Sequence, residues 1–150
     1  MGVVRLRVQA GTLSRLPWSC SPVRTVIGNQ TWAIPEGYIP EGSTGPEPEM
    51  ESHETLCVLN GGDEEATLEV TIYFADRDPV GPYKRTVPPG RTRHFRFNDF
   101  EDPEPIPKGE DFASVIESDV PVVCQHTRLD SRQAENALLS TIAFSNADTD

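Results

Sequence analysis

Residues 67–76 read TLEVTIYFAD, and their order decides the fold class. Leu68, Val70, Ile72 and Phe74 recur at every second position, with Glu69, Thr71 and Tyr73 between them. A pleated strand places the first set on one face and the second on the other, whereas helical spacing would scatter both around an axis. Working outward, the same short, β-branched and aromatic runs return: TWAI at 31–34, HETLCVLN at 53–60, YKRTV at 83–87 and RTRHFRFN at 91–98. In the last of these Phe95 and Phe97 share a face opposite His94 and Arg96. ASVIES, PVVCQHTRL and LLSTIAFS complete the C-terminal half. The count is about eight strands. Only SRQAENALL competes, because Ser131 is a plausible cap for a turn of helix before the last strand.

The 14 prolines punctuate this plan. GPEPEM, DPVGPY, VPPG and DPEPIPKG are too proline-rich for central strands, which need the missing N–H, so they read as loops or edge covers. The expected architecture is all-β: a single antiparallel β-sandwich, jelly-roll-like rather than immunoglobulin-like, since no Cys…Trp…Cys pattern is present.

A chain of 150 residues with 36% hydrophobic content supports one domain. Nowhere are there 18 consecutive apolar residues, which excludes a membrane-spanning helix of ordinary length. The cysteines Cys20, Cys57 and Cys124 form no C-x-x-C pair, so neither a disulfide framework nor a cysteine zinc site is expected, and a reducing, cytoplasmic setting is the simpler reading. The net charge is -11, yet no acidic residue precedes Glu36, and Arg5, Arg7, Arg15 and Arg24 all lie in the first 24 residues. The remainder therefore carries -15. Residues 1–25 read as a poorly ordered or misassigned extension, with the composition of a transit peptide and with Val23 and Val26 as alternative start positions; residues 26–150 read as the domain.

Chemistry is sparse. His53, His94 and His126 match no compact metal signature, so no metal is expected. There is no G-x-S-x-G elbow, phosphate loop or dinucleotide fingerprint, and no cofactor is expected. Lys84, Arg85, Arg91, Arg93 and Arg96 form a local basic group, but a body at -15 repels DNA at long range, so nucleic acid is disfavoured. The most polar stretch is QHTRLDSRQAEN, directly after the apolar PVVC. Arg128 and Arg132 could clamp a carboxylate or phosphate while Gln125 and Asp130 bond hydroxyls. An internal ion-pair network and a subunit contact are the alternatives.

Three long segments carry a resemblance: TWAIPEGYIPEGSTGPEPEMESHETLCVLN, TIYFADRDPVGPYKRTVPPGRTRHFRFND and DFASVIESDVPVVCQHTRLDSRQAENALLSTIA. They resemble the sensory rhodopsin transducer family, from about Ile27 to the C-terminal region. The resemblance implies a cytoplasmic β-sandwich that forms a homotetramer and binds the cytoplasmic face of a microbial sensory rhodopsin. It also implies kinship with carbohydrate-binding sandwiches and a DNA-linked regulatory role. The residues matching its motifs are Trp32, Glu36 and Tyr38 in WAIPEGYIP, His53 and Glu54 in SHET, and Gln125, His126, Arg128 and Asp130 in QHTRLD. With Arg132 these are the candidate ligand or partner contacts. The expected function is a non-enzymatic, light-linked signalling adapter. The rival is a small-molecule sensor, with Trp32 and Tyr38 as an apolar platform for a polyol; an enzyme ranks third.

Overall fold

The computed structural model describes residues 27–135 and 137–145. The expectations for residues 1–25 lie outside them. Seven strands follow in order: β1 (Asn29–Tyr38), β2 (His53–Asn60), β3 (Ala66–Tyr73), β4 (Val80–Val87), β5 (Arg91–Arg96), β6 (Asp111–Asp130) and β7 (Ala137–Ile142). A 3-10 turn at Phe97–Asp99 separates β5 from the long loop before β6. Every pairing is antiparallel. Among the described residues no helix is long and apolar enough to cross a membrane.

The twenty-residue β6 organises the fold. Its first part pairs with β3 and β1, and β4 lies on the far side of β3. Its second part pairs with β2 and β7, and β5 lies on the far side of β2. One strand thus serves two four-stranded layers, here sheet A (β4-β3-β6-β1) and sheet B (β5-β2-β6-β7). The expected eight strands become seven because ASVIES and PVVCQHTRL are one strand. Pro121 does not interrupt it: β3 pairing ends at Ser118, β2 pairing begins at Val123, and the β1 register shifts between Asn29 and Thr31. Proline sits where no ladder asks for its N–H.

Alternation along β6 is unbroken through this junction. Phe112, Ser114, Ile116, Ser118, Val122, Cys124 and His126 are all buried. Phe112, Ile116, Val122 and Cys124 join Leu68, Val70 and Ile72 of β3, Leu56 and Val58 of β2, and Trp32 and Ile34 of β1 in one core. Phe97, Phe100, Phe112 and Tyr83 close its end, with ring centroids 5.1–5.6 Å apart. The Trp32 indole N–H donates to the carbonyls of Asn29 and Val122 at 2.9 Å each, which satisfies backbone left open by the register shift. Gly28 (φ +101°) precedes that point, and a Cβ there would lie 2.1 Å from the Val122 carbonyl oxygen.

Two local expectations change. Residues 132–135 are a bend rather than a turn of helix, held because Thr44 bonds the Ser131 carbonyl by both its N–H and its hydroxyl. The segment containing Pro82 is part of β4 rather than a loop, on the edge of sheet A where a proline costs no central hydrogen bond.

Candidate functional site

Glu54 is the second residue of β2, in phase with Leu56 and Val58, so the pleat drives its carboxylate inward. It is fully buried. His126 and Arg128 follow Val122 and Cys124 at period two on β6 and arrive opposite Leu56 and Glu54. Oε2 of Glu54 meets Nε2 of His126, and Oε1 accepts from Nε of Arg128. The Tyr38 backbone N–H also donates to Oε1, at 2.9 Å, and Arg128 reaches the exposed Glu36 with a terminal nitrogen. The result is a relay from solvent to core, Glu36–Arg128–Glu54–His126, which fastens the end of β1 to β2 and β6.

A buried carboxylate is tolerable only with its acceptors filled. Here the backbone helps through the Tyr38 N–H on Oε1, and the Glu54 backbone is itself fixed, its N–H facing Oδ1 of Asn98, whose amide nitrogen donates to the Ser52 carbonyl at 3.1 Å. Burial alone would pull the Arg128 guanidinium down, but its bonds to Glu54 and Glu36 outweigh that and hold its pKa above the ordinary value. Beside the relay, Arg132 grips Asp130 through Nε and a terminal nitrogen (2.6–3.2 Å), and its guanidinium lies 5.7 Å from the Tyr38 ring centroid. That grip holds the Asp130 carboxyl below the usual range.

Two depressions flank the relay. One, of about 460 Å³, is lined by Asp130, Arg132, Gln133, Glu135 and Ala137. The other, of about 480 Å³, lies over the β1 register shift, with Glu36, Tyr73, Phe74 and Asp111 in its wall. Gly37 is needed there, since a Cβ would fall 2.5 Å from the Phe112 ring.

Of the sequence candidates, the fold brings Glu36, Tyr38, Glu54, His126, Arg128, Asp130 and Arg132 together. It separates three. Gln125 points from the opposite face of β6, bonded to Ser140. His53 turns back to the Glu51 carbonyl at 2.7 Å. Trp32 is a core residue, 5% exposed, and presents no platform to solvent. The basic group is also dispersed: Lys84 pairs with Glu69 at 3.3 Å, and Arg85 stacks on Phe100 at 4.0 Å. Among the described residues no group of three or more histidine, cysteine or acidic side chains is placed to hold a metal. Cys124 is buried and its thiol is pushed up to about 12, which leaves it a small hydrophobe.

Reasoning from residue types missed Ser52 and Ser131, whose hydroxyls lie 3.1 Å apart and weld the loop before β2 to the end of β6. It also missed that Glu54 is in phase with Leu56 and Val58. That phase was the available signal for a buried carboxylate.

The structure is thus an all-antiparallel sandwich with a filled ion relay at one end. The comparisons give the family. Residues 27–145 match the family described as Anabaena sensory rhodopsin transducer, and the chain belongs to it. It is 59% identical to a solved structure described as Anabaena sensory rhodopsin transducer, covering 69% of this chain and 100% of that one, with a TM-score of 0.62. It is also similar to the crystal structure of Thermotoga maritima 1070, at 36% identity, covering 79% and 96% of the two chains, with a TM-score of 0.71. No curated protein matches.

Proposed function

We propose that this protein is a non-enzymatic adapter that binds the cytoplasmic face of a microbial sensory rhodopsin, as a homotetramer in the cytoplasm, and passes on the receptor's state. Family membership over residues 27–145 carries the reading. Electrostatics supports it: the outward side of sheet A presents Glu69, Asp111, Glu117 and Asp119, while cytoplasmic loops of membrane proteins carry excess Lys and Arg. Such an encounter weakens as salt rises. Light changes the receptor surface, and the adapter responds through its different affinity for the two receptor states.

The test is co-sedimentation with membranes holding the rhodopsin of the same organism, dark and illuminated, at low and high salt. Association that falls with salt and differs between dark and light is expected. No association under any of the four conditions overturns the reading. A second reading, a sensor of a small polar ligand, is favoured by the two depressions beside the relay. A ligand there would bond Glu36, Asp111 or Arg132, and its Kd would shift on Glu36→Gln or Arg132→Ala.

A further inference from the structure

The depression over the β1 register shift is built from three strands. Between the Ile34–Ser114 and Gly37–Phe112 pairs, β1 has two residues, Pro35 and Glu36, where β6 has Ala113 alone. Two residues against one make a bulge, which re-aims its side chains and is frequent beside functional sites. On its other side Ala113 pairs with Tyr73 of β3. A single methyl group thus stands between a tyrosine and a bulge, and the row is hollow at its centre. The cavity of about 480 Å³ takes its apolar lining from Tyr73, Phe74, Phe112 and Ala113 and its charge from Glu36 and Asp111.

That charge has one sign. No basic side chain of the described residues lines the cavity. The Glu36 side chain is 60% exposed and gives one oxygen to Arg128, whereas Asp111 has no cationic partner among the described residues. From the strands of sheet B no carboxylate points outward, so an approaching cation is drawn to the side of sheet A. Next to the cavity the chain already displays the chemistry that such a wall holds. Arg77 lays its guanidinium over the Phe74 ring, 3.6 Å from the centroid, and bonds Glu110 at 2.7 Å. There a ring and a carboxylate are filled by an arginine of the chain itself. Tyr73, 43% exposed, with Asp111 and Glu36 offers the same combination unfilled.

We propose that this cavity receives an arginine side chain of a protein partner, with its aliphatic stem over Ala113 and its guanidinium between Glu36 and Asp111. The inference deepens the receptor reading and rests on it for the partner, since basic cytoplasmic loops supply such side chains. A phosphate or carboxylate is repelled by the two acids, and a neutral polyol leaves both charges unmatched. A guanidinium stays charged when partly desolvated and offers its donors in a fork that suits carboxylates. Glu36 is also the outer member of the relay. An incoming guanidinium shares it with Arg128, which keeps Glu54 as its second partner, so occupancy at the surface reaches the buried Glu54–His126 contact.

Nuclear magnetic resonance of the full chain in about 0.15 M salt, titrated with N-acetyl-arginine amide, provides the test, because diffuse attraction is largely screened there. Saturable shifts are expected at the Gly37 and Ala113 amides, with the Arg128 Nε signal moving at the same midpoint. N-acetyl-citrulline amide, close in shape but uncharged, is expected to bind about tenfold more weakly, and Asp111→Asn to weaken the arginine probe by a similar factor. Ala113→Leu fills the hollow from a half-buried, outward position and is expected to abolish the Gly37 shift. Glu117→Gln, on the same sheet but outside the cavity, is expected to leave the midpoint unchanged. Unmoved Gly37 and Ala113 amides, equal binding of the citrulline probe, or an equal loss on Glu117→Gln overturns the proposal. Tighter binding of putrescine makes the occupant a free polyamine and overturns it too, and an Arg128 signal that stays still overturns the link to the relay. No rhodopsin enters the titration, so failure here and failure of receptor binding are separate results.

Discussion

The two halves of β6 have their charge turned inside out. From Asp111 to Val122 the strand points Phe112, Ile116 and Val122 inward and Asp111, Glu117 and Asp119 outward. From Val123 to Asp130 it points Val123, Gln125, Thr127 and Leu129 outward, while His126 and Arg128 turn inward to Glu54. The first half is an ordinary amphipathic strand, held by apolar burial on one side and hydration on the other. The second keeps its charges inside and exposes neutral residues, a costly arrangement unless each inward charge is paired and each outward apolar group is later covered. One strand can therefore carry its charge outward along one half and inward along the other, without a change in backbone geometry.

The largest expected effect falls on the inward charges. Glu54→Ala leaves Arg128 and His126 without their shared acceptor and is expected to cost roughly 3–5 kcal/mol in a urea titration. Replacing Glu54 and Arg128 together by leucine and methionine is expected to recover only the part due to the stranded guanidinium, because His126 and the Tyr38 N–H still lack their acceptor. Ile116→Val, in the first half, is expected to cost only about 1 kcal/mol. If Glu54→Ala costs no more than Ile116→Val, the contrast between the halves is broken.

Outward charge on the first half is expected to matter least for stability. Glu117 stands directly across from Glu69, so Glu117→Gln relieves a like-charge pair and should change stability by less than about 0.5 kcal/mol, with the sign toward a gain. The same variant should weaken receptor co-sedimentation at low salt.

Asp130 sharpens the comparison at the end of the second half. Its folded pKa is depressed by the Arg132 bond, so its contribution is present above the unfolded carboxyl pKa and is lost as pH falls through the folded value. Asp130→Asn is accordingly expected to lower Tm slightly at neutral pH, and the difference from wild type should vanish in acid below the ordinary carboxylate range. A difference independent of pH would show that the bond to Arg132 is not its source.

Much of the strand plan was legible because period-two alternation is a local property. TLEVTIYFAD, HETLCVLN and PVVCQHTRL each declare their buried face without reference to the others. The error of one strand came from separating ASVIES from PVVCQHTRL at Pro121, and a proline's tolerance depends on whether a neighbour needs its N–H. The candidate site was legible in residue type, and less so in arrangement. QHTRLD appeared as one cluster, yet the pleat divides it, sending Gln125 outward and His126, Arg128 and Asp130 inward. Trp32 shows the same limit: its identity suggested a platform, and only its contact with the Val122 carbonyl makes it core.

By itself, then, the sequence determined the all-β class, the acidic body, the absence of compact metal and nucleotide motifs and the family resemblance, since each depends on composition or on residues adjacent along the chain. Tertiary structure decided that one strand is shared by two layers, that Glu54 collects His126, Arg128 and the Tyr38 amide, and that acidic groups point outward from one sheet and not from the other. Those are relations between residues far apart along the chain, as is the Glu36–Arg128 pair at 92 positions. They exist only once the register between strands is set, because a slip of one residue would exchange every inward side chain for an outward one.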